Sequence, residues 1–266
     1  MMNKTLSYNN IALQYKLSGS GNCVVLLHGF GEDSSVWDGM VQPLAASYHV
    51  LVPSVPGSGR SELLEGENIS MTDYADAVHA ILKAEGIIKC SIIGHSMGGY
   101  IALAFAEKYP DMLHAFGLFH SSAYADDEAK KETRTKAIAF IESNGVAEFF
   151  KSSTPGLFKD ASASSSAVND LLEKGNQFEP AALVQYYKAM IARPDRTEVL
   201  KNFPRPVLFL LGEHDKAVPF EHGLEQSHLP QQSHLHILRN SAHMGMLEEP
   251  EKSLLNVTDF LRRVYA

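Results

Sequence analysis

Six short aliphatic runs, each followed by a helical stretch, constrain this chain more than any other feature. They are Val24–Leu27, Val50–Val52, Ser91–Ile93, Ala115–Phe119, Val207–Leu211 and Leu235–Leu238. Runs that are apolar on both faces suit parallel strands covered by helices on two sides. Helices are expected to begin near Ser35, Thr72, Met97, Glu221 and Pro250, the last with Leu254, Val257, Thr258, Leu261 and Val264 along one stripe. Strands alternating with helices predict an α/β fold with a mostly parallel sheet. Ahead of them, Leu6, Tyr8, Ile11, Leu13, Tyr15 and Leu17 alternate with polar residues around Asn9-Asn10. That pattern predicts an antiparallel β-hairpin with one buried face.

The rhythm breaks between Phe119 and Val207, where no convincing strand occurs. Leu183, Tyr186, Tyr187, Met190 and Ile191 mark a helix by their spacing, as do Ala137, Phe140 and Ile141, and Val146, Phe149 and Phe150. Residues Ala161 to Ser166 read as a flexible connection. The mixed charges from Asp126 to Lys136 read as a solvated helix face. A second helical domain that only adds core would account for this region. Its insertion between two strands favours a lid over the carboxyl edge of the sheet, where open α/β sheets bind ligands. The expected division is a core of residues 1–120 and 204–266 with a helical lid over 121–203.

The 266 residues fit one domain, and 31 acidic against 23 basic side chains give a net charge of −8. An acidic balance argues against nucleic-acid or anionic-membrane partners, which need a basic field. Two cysteines, Cys23 and Cys90, are too few for a disulfide framework and are expected to be free thiols. No apolar stretch approaches the ~20 residues that span a bilayer, and no signal peptide is visible. A soluble, cytoplasmic protein is expected, monomer or homodimer. His228, His234 and His236 lie close together, but a surface loop and an edge strand explain them better than a metal site.

The strongest chemical signal is Gly94-His95-Ser96-Met97-Gly98-Gly99. It follows an aliphatic run and opens an Ala-rich helix. A sharp strand-to-helix turn lifts its central serine off the sheet, and the flanking glycines prevent clashes across that turn. His28-Gly29-Phe30-Gly31 follows the first aliphatic run. The N–H groups of Phe30 and Met97 are the candidate oxyanion-hole donors, and His28 reads as a brace for the loop. Asp215 and His243 follow the last two strands, at the same sheet edge as Ser96. The order Ser96, Asp215, His243 is that of nucleophile, acid and base on such a sheet.

These motifs, with Pro56-Gly57-Ser58-Gly59-Arg60-Ser61, resemble the α/β-hydrolase superfamily along essentially the whole chain. The style is that of lidded bacterial esterases, 3-oxoadipate enol-lactonase and cofactor-free perhydrolases. The resemblance implies a mostly parallel sheet with an N-terminal antiparallel hairpin, helices on both faces and an inserted helical lid. Ser54 stands where many relatives carry Asp. Ser96 separates the chain from haloalkane dehalogenases and epoxide hydrolases, which place Asp at the elbow. The implied activity is hydrolysis of small, mainly apolar carboxylic esters through an acyl-enzyme, with a small acyl compound as partner and neither cofactor nor metal. Thioester, enol-lactone or C–C bond hydrolysis and perhydrolysis use the same triad, and a non-catalytic receptor is the remote alternative. Candidates for the pocket wall are Trp37, His95, His120, Phe140, Phe149, Phe150, Tyr186 and Tyr187. Trp37 fits the core better than the pocket, and His120 fits a pocket wall and a satisfied turn residue equally.

Overall fold

The computed structural model describes residues 1–266. A hairpin opens the chain, with β1 (Met2–Tyr8) and β2 (Ile11–Ser18) paired antiparallel. Its turn residues Asn9 and Asn10 have φ of 47° and 67°. Two successive left-handed residues give the turn whose twist matches the strands, and asparagine tolerates that conformation. Ile11, Leu13, Tyr15 and Leu17 are buried, as the alternation predicts.

The alternating part follows as β3 (Cys23–Leu27), α1 (Asp38–Ala45), β4 (His49–Pro53), α2 (Met71–Ala84), β5 (Cys90–His95), α3 (Met97–Lys108) and β6 (Leu113–Phe119). Ser70 and Asp73 form a reciprocal capping box that fixes the start of α2. Five helices then intervene without a strand: α4 (Glu128–Asn144), α5 (Val146–Ser153), α6 (Ser165–Gly175), α7 (Pro180–Ala192) and α8 (Thr197–Asn202). The chain ends in β7 (Val207–Gly212), α9 (Phe220–Gln226), β8 (Ser233–Leu238), α10 (Gly245–Glu248) and α11 (Pro250–Val264).

All eight strands form one sheet in the order β1-β2-β4-β3-β5-β6-β7-β8, parallel from β4 to β8. Strand side chains alternate between two apolar layers. Val25, Leu27, Ile92, Phe116 and Phe209 pack with Val78 and Ile81 of α2 and Ile101 and Phe105 of α3. Val24, Leu26, Ile93, Leu208 and Leu210 pack with Val41 and Leu44 of α1 and Val257 and Leu261 of α11. Burying each such side chain stabilises the fold by roughly 1.5–3 kcal/mol, so the two-sided strands anchor both layers. No helix is long and apolar enough to cross a membrane.

Two expectations need correction. The stretch Ala161–Ser166 is partly ordered: Asp160 accepts bonds from the Ser162 and Ala163 N–H groups, and α6 begins at Ser165. The charged run Asp126–Lys136 is not wholly solvated, because Asp126 and Arg134 are both buried. Arg134 lies seven residues before the buried Ile141, which places it on the inward face of α4.

Cys23 and Cys90 are both free and buried, side by side in the β3–β5 register. Burial pushes the Cys23 thiol up to about 12, which suppresses the reactive thiolate. Thiol titration is therefore expected to find no reactive groups in the native protein and two after unfolding without reductant. Zero thiols after unfolding would show a disulfide instead.

Candidate active site

Ser96 joins β5 directly to α3 with φ 50° and ψ −115°, a region that side chains rarely occupy. Such strain costs on the order of 1–3 kcal/mol and persists only where the surroundings enforce it. The glycines make the turn passable. A Cβ on Gly94 would lie 2.2 Å from the Gly98 carbonyl oxygen, and one on Gly98 would lie 2.4 Å from that of Leu27. The Ser96 N–H donates to the Phe119 carbonyl, and the Ser121 hydroxyl donates to the Ser96 carbonyl. The elbow is thus fastened at both ends of the residue, to the last residue of β6 and to the loop that follows it.

β7 and β8 bring the remaining groups to the same edge. Asp215 Oδ2 lies 2.8 Å from His243 Nδ1, while Oδ1 accepts from the Ala217 and Val218 N–H groups. Burial pushes the Asp215 carboxyl up, but His243, with smaller help from His120 and the Val218 amide, outweighs it and holds it below its ordinary value. His243 Nε2 lies 2.9 Å from Ser96 Oγ. An ionised carboxylate fixes the Nδ1–H tautomer, leaving Nε2 free to accept from the serine hydroxyl.

The loop after β3 faces this chain of bonds. Neither the Phe30 nor the Met97 N–H donates to any protein group, which leaves both free for a ligand oxygen. His28 stands behind them. Its Nδ1 donates to the Gly29 carbonyl, and its Nε2 accepts from the Val55 N–H. Burial depresses its pKa, so it braces the loop as a neutral ring.

A second buried pair ties the loops together, and half of it, Glu32, escaped sequence reading. His95 Nδ1 lies 2.9 Å from Glu32 Oε1, and its Nε2 lies 2.8 Å from the His243 carbonyl oxygen. Both partners are acceptors, so both ring nitrogens donate and His95 is the cation of an ion pair. Burial opposes charge on each member. The Glu32 carboxylate nevertheless holds the His95 pKa above its ordinary value, and His95 holds that of Glu32 below. Glu32 also accepts from the Gly29 N–H. One ion pair therefore links the loop after β3, the elbow and the His243 backbone.

A cavity of about 190 Å³ opens on Ser96 and His243. Of the pocket candidates, Phe149, Phe150 and Tyr187 line it, together with Phe30. The others do not. Trp37 is fully buried in the layer with α1 and α11, its ring 5.6 Å from that of Phe119. His95 is fully buried in its ion pair. His120 is a buried turn histidine whose Nδ1 accepts from the Gly212 N–H, kept neutral chiefly by burial. Tyr186 is fully buried and donates to the Pro56 carbonyl, while Phe140 is 39% exposed on the outer face of α4. Charged lining residues Lys130 and Arg134 were missed. Their spacing with Ala137 and Ile141 along one helical face was the available signal.

The description "Alpha/beta hydrolase family" belongs to the family profile that matches residues 24–254. The chain belongs to that family. The first curated relatives it matches are 30% identical over 113 residues, which is a third of their length. A 2-hydroxy-6-oxononadienedioate/2-hydroxy-6-oxononatrienedioate hydrolase of Burkholderia vietnamiensis is 25% identical over 264 residues, 95% of this chain and 92% of that one. The structure of a thermophilic esterase from Thermogutta terrifontis superposes with a TM-score of 0.93 at 26% identity, covering both chains fully. An enol-lactonase from Burkholderia xenovorans, at 20% identity and TM-score 0.91 over 97% of this chain and all of its own, shares the fold. Esterases and other hydrolases thus stand among the relatives and structural neighbours of this family member.

The Glu32–His95 pair generates a pH-dependent expectation. Breaking a buried ion pair by removing one partner costs about 3–5 kcal/mol. The His95 contribution is fully present below its unfolded value and lost as pH rises through its raised folded value. The Glu32 contribution is present above its unfolded value and lost as pH falls through its lowered one. Denaturant unfolding of Glu32→Gln should therefore show its largest deficit between the unfolded values of Glu and His. That deficit should shrink on either side of the two folded values. A deficit independent of pH would show that the pair is not ionised.

Proposed function

We propose that the chain is a serine hydrolase of small, mainly apolar carboxylic esters, acting through Ser96, His243 and Asp215. The observation that carries this reading is the unbroken hydrogen-bonded chain from Ser96 Oγ through His243 to Asp215, opening on a cavity with an aromatic wall of Phe30, Phe149, Phe150 and Tyr187. In this mechanism Ser96 Oγ attacks the ester carbonyl while His243 Nε2 takes its proton. The oxyanion forms against the free N–H groups of Phe30 and Met97. His243 then gives the proton to the departing alkoxide, leaving an acyl group on Ser96. Water, deprotonated by His243, attacks the acyl carbon, and the returning proton regenerates Ser96. Asp215 keeps the imidazole in its reactive tautomer and stabilises the imidazolium.

In the same reading, residues 121–203 form a lid on a core of residues 1–120 and 204–266. Phe149, Phe150 and Tyr187 come from this segment and meet Ser96 across the cavity. They provide an apolar wall that lowers the polarity around the reacting carbonyl. A second reading uses the same residues on an enol lactone or a C–C bond. Identity with the Burkholderia vietnamiensis hydrolase along almost the whole chain favours keeping it.

Substitution separates the roles. Ser96→Ala should lower kcat for a 4-nitrophenyl ester by roughly 10⁴–10⁶-fold and abolish labelling by a fluorophosphonate probe. Asp215→Asn should cost about 10⁴-fold through the wrong tautomer. His28→Ala should cost far less than His243→Ala. A folded His28 variant without turnover, beside an active His243 variant, would overturn the assignment. Faster turnover of enol lactones than of simple esters would favour the second reading.

A further inference from the structure

We infer that the cavity over Ser96 takes esters carrying a carboxylate remote from the scissile carbonyl, recognised by Lys130 and Arg134. The inference rests on the ester-hydrolase reading and names the substrate class within it.

The cationic groups of the cavity are under-compensated. Lys130 and Arg134 both line the chamber that holds Ser96 and His243. Asp126 is shared by two guanidinium groups: Arg134 Nε lies 2.6 Å from its Oδ2, and Arg193 Nη1 lies 2.9 Å from its Oδ1. All three side chains are buried. Two cations on one carboxylate leave a positive charge uncompensated in a place where charge is costly. Arg193 is bonded to the Met190 and Tyr124 carbonyls and stacked 3.9 Å over the Tyr100 ring, and its buried Nε has no partner. Arg134 adds a long contact from Nη2 to Asp126 Oδ1 at 3.4 Å and lies over the Tyr187 ring, and the protein partner of its Nη1 is the Met190 sulfur, a weak acceptor. Lys130 Nζ donates to the Ala217 carbonyl at 2.9 Å and has no carboxylate within ion-pair distance. Two of its three N–H donors remain free.

The acidic groups nearby are already engaged. Glu32 is paired with His95, and both oxygens of Asp215 are taken by His243 and two amides. A wider cleft of about 550 Å³ continues outward past Lys130, Thr133 and Val218. The carboxylates of Asp127 and Asp195 on its rim are exposed and accept from the helix-start amides of Lys130 and Thr197. A ligand carboxylate between Lys130 and Arg134 would form charge-assisted bonds in a partly desolvated site. Its hydrocarbon stem would lie against Phe30, Phe149 and Tyr187.

The carboxylate could belong to the acyl group or to the alcohol, and two substrate pairs distinguish them. Mono-4-nitrophenyl glutarate and its terminal primary amide carry the test group on the acyl side. The butyrate ester of 4-hydroxybutanoate and its primary amide carry it on the alcohol side. In one pair at least, kcat/KM is expected to favour the anion about tenfold, the scale of a charge-assisted bond. That ratio should shrink with added salt, fall about fivefold or more in Lys130→Met and in Arg134→Met, and persist in Lys130→Arg. Arg134→Met leaves Asp126 matched to Arg193, so the cluster keeps a balanced pair. Amides preferred in both pairs, or a ratio unmoved by Lys130→Met, would overturn the inference while leaving the ester-hydrolase reading intact. No cleavage of any of the four, without probe labelling of Ser96, would overturn both.

Discussion

The left-handed backbone of Ser96 is the constraint on which the other features depend. A residue at φ 50° between a strand and a helix cannot relax unless one of the two moves. Neither can. β5 is buried along its whole length between β3 and β6, and α3 is buried from Met97 to Ala106. Strain on the order of 1–3 kcal/mol is small beside the apolar burial on both sides of this turn. The result is a hydroxyl held clear of the sheet, with the free Met97 N–H beside it.

Around that fixed hydroxyl, only one imidazole joins the serine to a carboxylate. Four buried histidines stand at this edge. His28 and His120 are held neutral by burial, and His95 is held cationic by Glu32. His243 alone joins a carboxylate on one nitrogen to the serine on the other. His95 also donates to the His243 backbone, so the ion pair sets the position of the base without touching its ring nitrogens. Buried ion pairs are poor sources of net stability, because desolvation consumes most of the Coulombic gain. Here the pair joins three loops that no continuous strand or helix connects.

The helices between β6 and β7 supply a different chemistry. Phe149, Phe150 and Tyr187 make an apolar wall, and Lys130 and Arg134 introduce positive charge beside it. Orientation through a few polar groups in an otherwise apolar cavity is the usual basis of small-ligand selectivity. In the proposed reading, the core sheet positions the reacting groups and the inserted helices shape what reaches them.

Sequence by itself determined the parallel sheet, the N-terminal hairpin and the order of Ser96, Asp215 and His243. Each is a local or periodic signal: apolar runs between helices, alternation around Asn9-Asn10, and glycines at a turn that tolerates nothing larger. Only the tertiary structure decided which side chains share a cavity. Phe149, Phe150 and Tyr187 face Ser96, while Tyr186, adjacent to Tyr187, is buried against Tyr74 and bonds to Pro56. Successive helical positions diverge by about 100°, so a one-residue difference exchanges cavity for core. Glu32 gave no sequence signal because its partner, His95, lies 63 residues away and meets it only through the pairing of β3 with β5. Arg134 looked like one of many surface charges, and its burial depends on which face of α4 turns inward. Periodicity shows that a helix has faces, and packing against the rest of the molecule selects the one that is buried.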